Sequence, residues 1–218
     1  NFAATAYLNR WKVKIYYEHY FDDHSQMFFQ YGRWKDGHIG LEITFPKNRF
    51  IDTFVYEGLG TKDQTGPMLY DSFWGKFEEQ ISAKDNYYNH YLYQGWQHWG
   101  MGIGNPLLPG PIYNKNGQIT FISNRVLAHH IGFCGSPCQS LSYRMLLSYS
   151  RHWGTYDNPL NEIKKQFNSL FEVTYAPQQL KGWSFTVSGA MDRGSILGNN
   201  YGGMLVIRKQ GIIKSGNK

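Results

Sequence analysis

The chain has no long hydrophobic run. Mean hydropathy is −0.52, and no apolar stretch approaches the roughly 20 residues that a membrane-crossing helix needs. That excludes a helical membrane protein. It leaves a β-barrel open, because barrel strands need only about 10 residues, half of them polar. Cysteine is scarce, with two in 218 residues. No other cysteine stands near the pair, so no metal site is expected. Charge is sparse as well, at 17% of residues. The net +6 is small and scattered, and no zinc, RNP or helix-turn-helix signature accompanies it, which argues against a nucleic-acid partner. Ser142, Ser148 and Ser150 lack the G-x-S-x-G context of a nucleophile elbow. No leader peptide precedes Asn1, which suggests a processed chain or a piece of a longer one.

What the chain has is alternation. Leu141, Tyr143, Met145, Leu147 and Tyr149 share one face of a strand, and Ser142, Arg144, Ser148 and Ser150 share the other. Such a strand needs two solvents. In a water-soluble sandwich the apolar face is the core; in an outer-membrane barrel it faces lipid and the polar face lines a wet lumen. Two stacked sheets burying Tyr143, Met145, Phe185 and Val187 in a dry centre would exclude the barrel. Aromatics make up 17%, with 17 Tyr, 14 Phe and 7 Trp. Tyr and Trp suit bilayer interfaces and also stack on sugar rings.

Eight strands are predicted, at 11–21, 39–45, 50–58, 119–133, 140–153, 169–176, 182–192 and 201–213. The connections 46–49, 134–138 and 177–181 are short and fall on one side. The connections 22–36, 59–118, 154–167 and 193–200 are long and fall on the other. Outer-membrane barrels sort their loops this way, whereas a Greek-key sandwich mixes them. The expected fold is therefore all-β: an antiparallel up-and-down transmembrane β-barrel forming a single domain over 1–218. The expected insertion at 59–118 is an extracellular-side loop or plug, partly helical over 72–93. Cys134-Gly-Ser-Pro-Cys138 reads as a hairpin tip with the thiols on either side of it. Whether they are bridged is open, because geometry is not readable from spacing.

The densest chemistry lies in that insertion. Asp85, Asn86, Tyr87, Tyr88 and His90, with Trp96, His98 and Trp99, combine aromatic faces with amides, imidazoles and a carboxylate. Rings cover the C–H face of a sugar and polar groups fix its hydroxyls, so these are the candidate glycan-binding residues. Packing of the loop on itself is the competing reading. His129 and His130 point to opposite faces of a strand and cannot chelate one metal together. Asp22-Asp23-His24-Ser25 carries the residue types of a hydrolytic triad, but four consecutive residues do not converge like one. Glu57, Asp85 and Asp157 are carboxylates of the kind glycoside hydrolysis needs, with separations unreadable from sequence. Arg144 and Glu172 are expected to face a lumen, since an Arg or Lys facing mid-bilayer lipid costs roughly 2–4 kcal/mol. No catalytic residue, cofactor or metal is assigned.

The runs WKVKIYYEHYFDDHS (11–25), DGHIGLEITFPKN (36–48), DNYYNHY (85–91), GWQHWGMGIGNPLL (95–108), SNRVLAHHIGF (123–133), WGTYDNP (153–159) and MDRGSILGNNYGGMLVIRK (191–209) resemble the Wzi capsule-assembly family. The resemblance implies a non-enzymatic outer-membrane β-barrel that acts as a lectin. It implies a bacterial outer-membrane location, with capsular or exopolysaccharide and outer-membrane lipid as partners; a monomer is expected. Family members have about twice this number of strands and carry a signal peptide, so the chain resembles a C-terminal half and a partial barrel. The alternatives are an outer-membrane porin or transporter for small solutes, and a glycan hydrolase.

Overall fold

The structure is a computed structural model that describes residues 1–20, 36–47, 50–64, 85–89 and 95–211. Among these residues eleven strands are formed: β1 (Phe2–Leu8), β2 (Trp11–His19), β3 (Gly37–Thr44), β4 (Thr53–Gly60), β5 (Gln97–His98), β6 (Met101–Gly102), β7 (Val126–Cys138), β8 (Leu141–Gly154), β9 (Pro159–Tyr175), β10 (Trp183–Gly194) and β11 (Asn200–Lys209). Nine of them make one sheet in the order β1-β2-β3-β4-β7-β8-β9-β10-β11, and each pairs antiparallel with its neighbours. β1 and β11 are its two edges. β5 and β6 form a separate small hairpin inside the long β4–β7 connection.

Register converts the alternation of single strands into continuous rows. One row runs Ile15, Leu41, Tyr56, Ile131 and Leu147 across β2, β3, β4, β7 and β8. The next runs Val13, Ile43, Phe54, Phe133, Met145 and Phe171, with the Phe54 and Phe133 rings 5.2 Å apart. A third carries Tyr143, Val173, Val187 and Leu205 to the far edge. No charged residue interrupts these rows. They are not packed into a core: Phe171 is 52%, Val187 60% and Leu205 65% exposed. The buried strand side chains lie on the opposite face and include the polar Ser150, His152, Gln166 and Ser188. Burial is thus inverted relative to a water-soluble sheet. The stacked, dry-centred sandwich is not formed by the described residues.

Among the described residues the buried apolar core is small. Leu59, Val126 and Ala128 on the polar face of the sheet meet Leu108 and Phe121 from the β4–β7 connection, with Tyr20, Tyr88 and Leu107 packed around them. That connection therefore lies against the polar face at one end of the strands. A 3-10 turn at Pro111–Tyr113 shapes it. Of the helix expected over 72–93, residues 85–89 form a turn instead; the remainder lies outside the described residues.

Several sequence expectations are corrected. The sheet has nine strands rather than eight, because β1 precedes the first one read. The expected loop 154–167 is mostly strand: β9 begins at Pro159, leaving 155–158 as the connection. The β10–β11 connection is likewise only 195–199. The connections 45–52 and 176–182 on the other side are longer than these, so loop length is sorted only by the stretches 20–36 and 61–125. Ile119 to Arg125 is not strand, and β7 starts at Val126. The Gly-Ser-Pro stretch is not the hairpin tip. It is a bulge in β7, where Pro137 needs no ladder N–H. The chain reverses after it, at Gln139 and Ser140, so both cysteines lie on one strand and are free thiols.

Candidate functional site

A cavity of about 1720 Å³ opens between the polar face of the sheet and the β4–β7 connection. The sheet supplies its floor through Glu18, His38, Glu57, His130, Ser148 and Asn168. These come from β2, β3, β4, β7, β8 and β9, so the face is shared across most of the sheet. Register sets them side by side: Glu18 is opposite His38, Glu57 opposite His130, His130 opposite Ser148, and Ser148 opposite Asn168. His38 Nε2 lies 3.5 Å from Glu57 Oε1, and its Nδ1 lies 4.0 Å from Glu18 Oε2. The Tyr16 hydroxyl donates to Glu57 Oε1 as well. It reaches there because Gly40, facing Tyr16 across the β2–β3 pair, leaves room for the ring. His130 Nδ1 is 2.7 Å from Ser148 Oγ. His129, one residue earlier, meets the Tyr56 hydroxyl at 2.8 Å on the apolar face, so the two histidines do diverge.

The cavity's other wall is held by amides. Asn89 binds Phe121 through both ends of its side chain: Nδ2 donates to Phe121 O, and Oδ1 accepts from Phe121 N, each at 2.8 Å. Asn124, fully buried, donates Nδ2 to Asn86 Oδ1 at 2.5 Å and to Tyr87 O at 2.8 Å. Buried Asp36 clamps the base of the connection. Its Oδ1 accepts from Asp63 N at 2.8 Å, and its Oδ2 accepts from Gln64 N at 2.6 Å and from the Tyr87 hydroxyl at 3.2 Å. Burial pushes the Asp36 carboxyl above its ordinary range, against the opposing pull of those backbone N–H groups. Tyr88 takes a positive φ of 69°. Its ring stacks on Trp96 with centroids 5.3 Å apart, and its hydroxyl accepts from Asn105 N at 3.1 Å. Trp96 remains 49% exposed, so the stacked pair presents an aromatic platform at the cavity wall.

The sequence-chosen residues therefore divide. Asp85, Asn86, Tyr87, Tyr88 and Trp96 all line the cavity. Asn86 and Tyr87 are also tied to neighbouring loop residues, so packing and lining coincide in them. His98 and Trp99 do not line it. They sit at the β5–β6 hairpin, whose turn is made by Trp99 (φ 53°) and Gly100 (φ 79°), and Trp99 is 85% exposed. His90 lies outside the described residues, as do Asp22, Asp23, His24 and Ser25. Arg144 and Glu172 are on the polar face, 3.2 Å apart. They border a separate pocket of about 280 Å³ with Cys134, Ser142 and Thr174, away from the large cavity. Of the carboxylates weighed for hydrolysis, Glu57 and Asp85 share the cavity and Asp157 does not line it.

The sheet floor was missed as a site. Alternation marks Glu18, His38, Glu57 and His130 as polar-face residues, but only register makes them neighbours. The same holds for Ser150 and His152, whose Oγ and Nε2 are 2.9 Å apart, and for Ser123, whose Oγ is 3.5 Å from His152 Nδ1. Among the described residues, no group of three His, Cys, Asp or Glu side chains is placed to hold a metal, and no helix is long and apolar enough to cross a membrane. The arrangement offers hydroxyl, amide, imidazole and carboxylate groups facing an aromatic platform across a wide, open space. Compared with known protein families, curated proteins and solved structures, the chain matches none.

Proposed function

We propose that the chain is the strand-rich part of an outer-membrane β-barrel that assists capsule or exopolysaccharide assembly by binding surface polysaccharide without cleaving it. One observation carries the reading: the sheet's large apolar side chains lie in unbroken rows that are exposed or half-buried and never buried, while the opposite face carries the buried polar side chains and the cavity. Covering a Val or Leu side chain is worth about 1.5–3 kcal/mol, so nine strands of uncovered rows need an apolar surrounding. The height of the apolar rows supports lipid. On β10 they run from Trp183 to Met191, which spans about 26 Å at 3.3 Å per residue, close to the roughly 25 Å apolar band of outer-membrane barrels. Aromatics lie at both margins: Trp11, Tyr175 and Trp183 at one, and Tyr149, Trp153 and Phe167 at the other. Interfacial rings favour such levels.

Polysaccharide is favoured as the ligand by the cavity. Its size exceeds what a single small solute fills, and the Tyr88–Trp96 platform faces hydrogen-bonding groups from both walls. The resemblance of seven separate runs to the Wzi family points the same way. The test is direct binding of capsular polysaccharides to the full chain in detergent, with Trp96→Ala beside the wild type. Loss of about tenfold is expected from removing one stacking ring and the order it imposes on Tyr88. Unchanged binding with an unchanged fold would overturn the site. Release of new reducing ends from the bound glycan would overturn the non-enzymatic reading.

A further inference from the structure

A group of cations lies outside the cavity, on the margin of the apolar face. Leu147, Tyr149 and Arg151 share that face of β8, and Arg151 is opposite Lys165 on β9. Phe167, two residues beyond Lys165, is opposite Tyr149. The chain adds two more cations through the segments that flank β4 and β7. Arg125 N donates to Gly154 O at 3.1 Å, and Trp153 N donates to Arg125 O at 3.0 Å, which fixes Arg125 beside Trp153. Arg125 Nε then donates to Lys62 O at 3.1 Å.

Two rings organise the group. Lys62 Nζ is 4.7 Å and Arg151 Cζ 5.4 Å from the Trp153 ring centre, so one indole serves two cations. Arg125 Cζ is 3.8 Å from the ring centre of Tyr156, whose hydroxyl is anchored on Asp63 O at 2.9 Å. Among the described residues, none of Lys62, Arg125, Arg151 and Lys165 forms an ion pair. Two strand cations elsewhere in the sheet are paired, Lys12 with Glu42 and Arg144 with Glu172. Lys62, Arg125 and Arg151 lie on ring faces, with Lys165 opposite Arg151; like charges gathered in this way repel one another, and an anion between them relieves that repulsion.

We propose that Lys62, Arg125, Arg151 and Lys165 bind the phosphate groups of a lipid whose acyl chains lie on the apolar rows below. The proposal rests on the lipid-facing reading of those rows. Its occupant is chosen by position. The cations border the apolar face and not the cavity, level with Leu127 and one row above Tyr149 and Phe167. An amphiphile lying along the strands brings its charged head to this level and no further. The ring-held Arg side chains offer forked donors for phosphate oxygens, and Lys62 and Lys165, both exposed, offer ammonium donors.

The full chain is reconstituted into phosphatidylcholine vesicles containing either bisphosphorylated lipid A or its dephosphorylated form. Flotation reports insertion, and lipid retained on the detergent-extracted, purified protein is counted by mass. The phosphorylated form is expected to be retained at least about tenfold over the dephosphorylated one. Changing Lys62, Arg125, Arg151 and Lys165 together to Gln abolishes the preference without altering flotation; Lys181→Gln with Lys209→Gln, at the opposite margin, leaves it intact. If the fourfold change prevents folding, Lys62→Gln with Lys165→Gln alters only exposed side chains and is expected to lower the preference about threefold. Insertion with equal retention of both lipid forms overturns this site and leaves the lipid-facing reading standing. Failure to float with any vesicle overturns both. Displacement of lipid A by a soluble anionic polysaccharide, with no dependence on the lipid's phosphates, also overturns it.

Discussion

Single residues here act through what they leave empty as much as through what they touch. A methyl group at Gly40 would fall into the Tyr16 ring. Gly40→Ala is therefore expected to drive that ring off Glu57 and to cost about 1–3 kcal/mol by overpacking. Urea unfolding measures the loss, and a weakened glycan response at the Glu57 side of the cavity accompanies it. Asp36 makes a pH-dependent prediction. Burial holds its carboxyl above the ordinary value, so the folded chain keeps that proton more readily than the unfolded one. Its contribution to stability is full below the ordinary carboxyl value and fades as pH rises through the raised folded value. Asp36→Asn removes that part of the slope when melting temperature is followed from acid to neutral pH. It also lowers stability throughout, because an amide nitrogen replaces an oxygen that accepts from a backbone N–H. An unchanged slope would contradict the assignment.

At the scale of elements, the described part of the long connection meets the sheet through one small apolar cluster. Phe121 is the largest side chain of the small core. Phe121→Ala is expected to cost about 3–5 kcal/mol locally, and to expose 95–125 to protease while the ladder amides of β7 to β10 stay protected from exchange. Equal loss of protection in both regions would show that the connection and sheet unfold as one unit. The cysteines give a second test at this scale. Both are free on β7, with Cys138 exposed and Cys134 half-buried. Maleimide is expected to label Cys138 faster, and mild oxidation to leave the melting temperature unchanged.

Which elements were legible follows from how many solvents each strand meets. β7, β8 and β10 cross the apolar rows along most of their length, and alternation found them. The first half of β9, from Pro159 to Gln166, climbs past those rows, where both faces carry polar groups such as Asn161, Glu162, Lys164 and Gln166. Without contrast between faces there is no period to read. β1 was invisible for the opposite reason, because Ala3, Ala4 and Ala6 give little contrast on either side. Pro137 misled through ordinary turn chemistry: a proline inside a long strand signals a bulge as well as a turn. The loop half of the candidate site was legible as a dense run of rings and amides. Its sheet half was not, since Glu18, His38, Glu57 and His130 are brought together by pairings between distant segments.

For the whole molecule, the two faces of the sheet predict opposite responses to the same substitution. Val187→Lys puts an ammonium in the apolar rows and is expected to cost about 2–4 kcal/mol in lipid vesicles. Ala190→Lys, three residues along on the polar face, is expected to be nearly neutral. Equal costs at the two positions would mean that the apolar face does not meet lipid. A further consequence follows from parity. Counting along the sheet, β1 and β11 are the first and ninth members of a ladder in which every neighbour reverses direction. They therefore run the same way. Were these two margins to be zipped to each other, the join would be a parallel seam, with slanted rather than perpendicular bonds, in a wall that is antiparallel everywhere else.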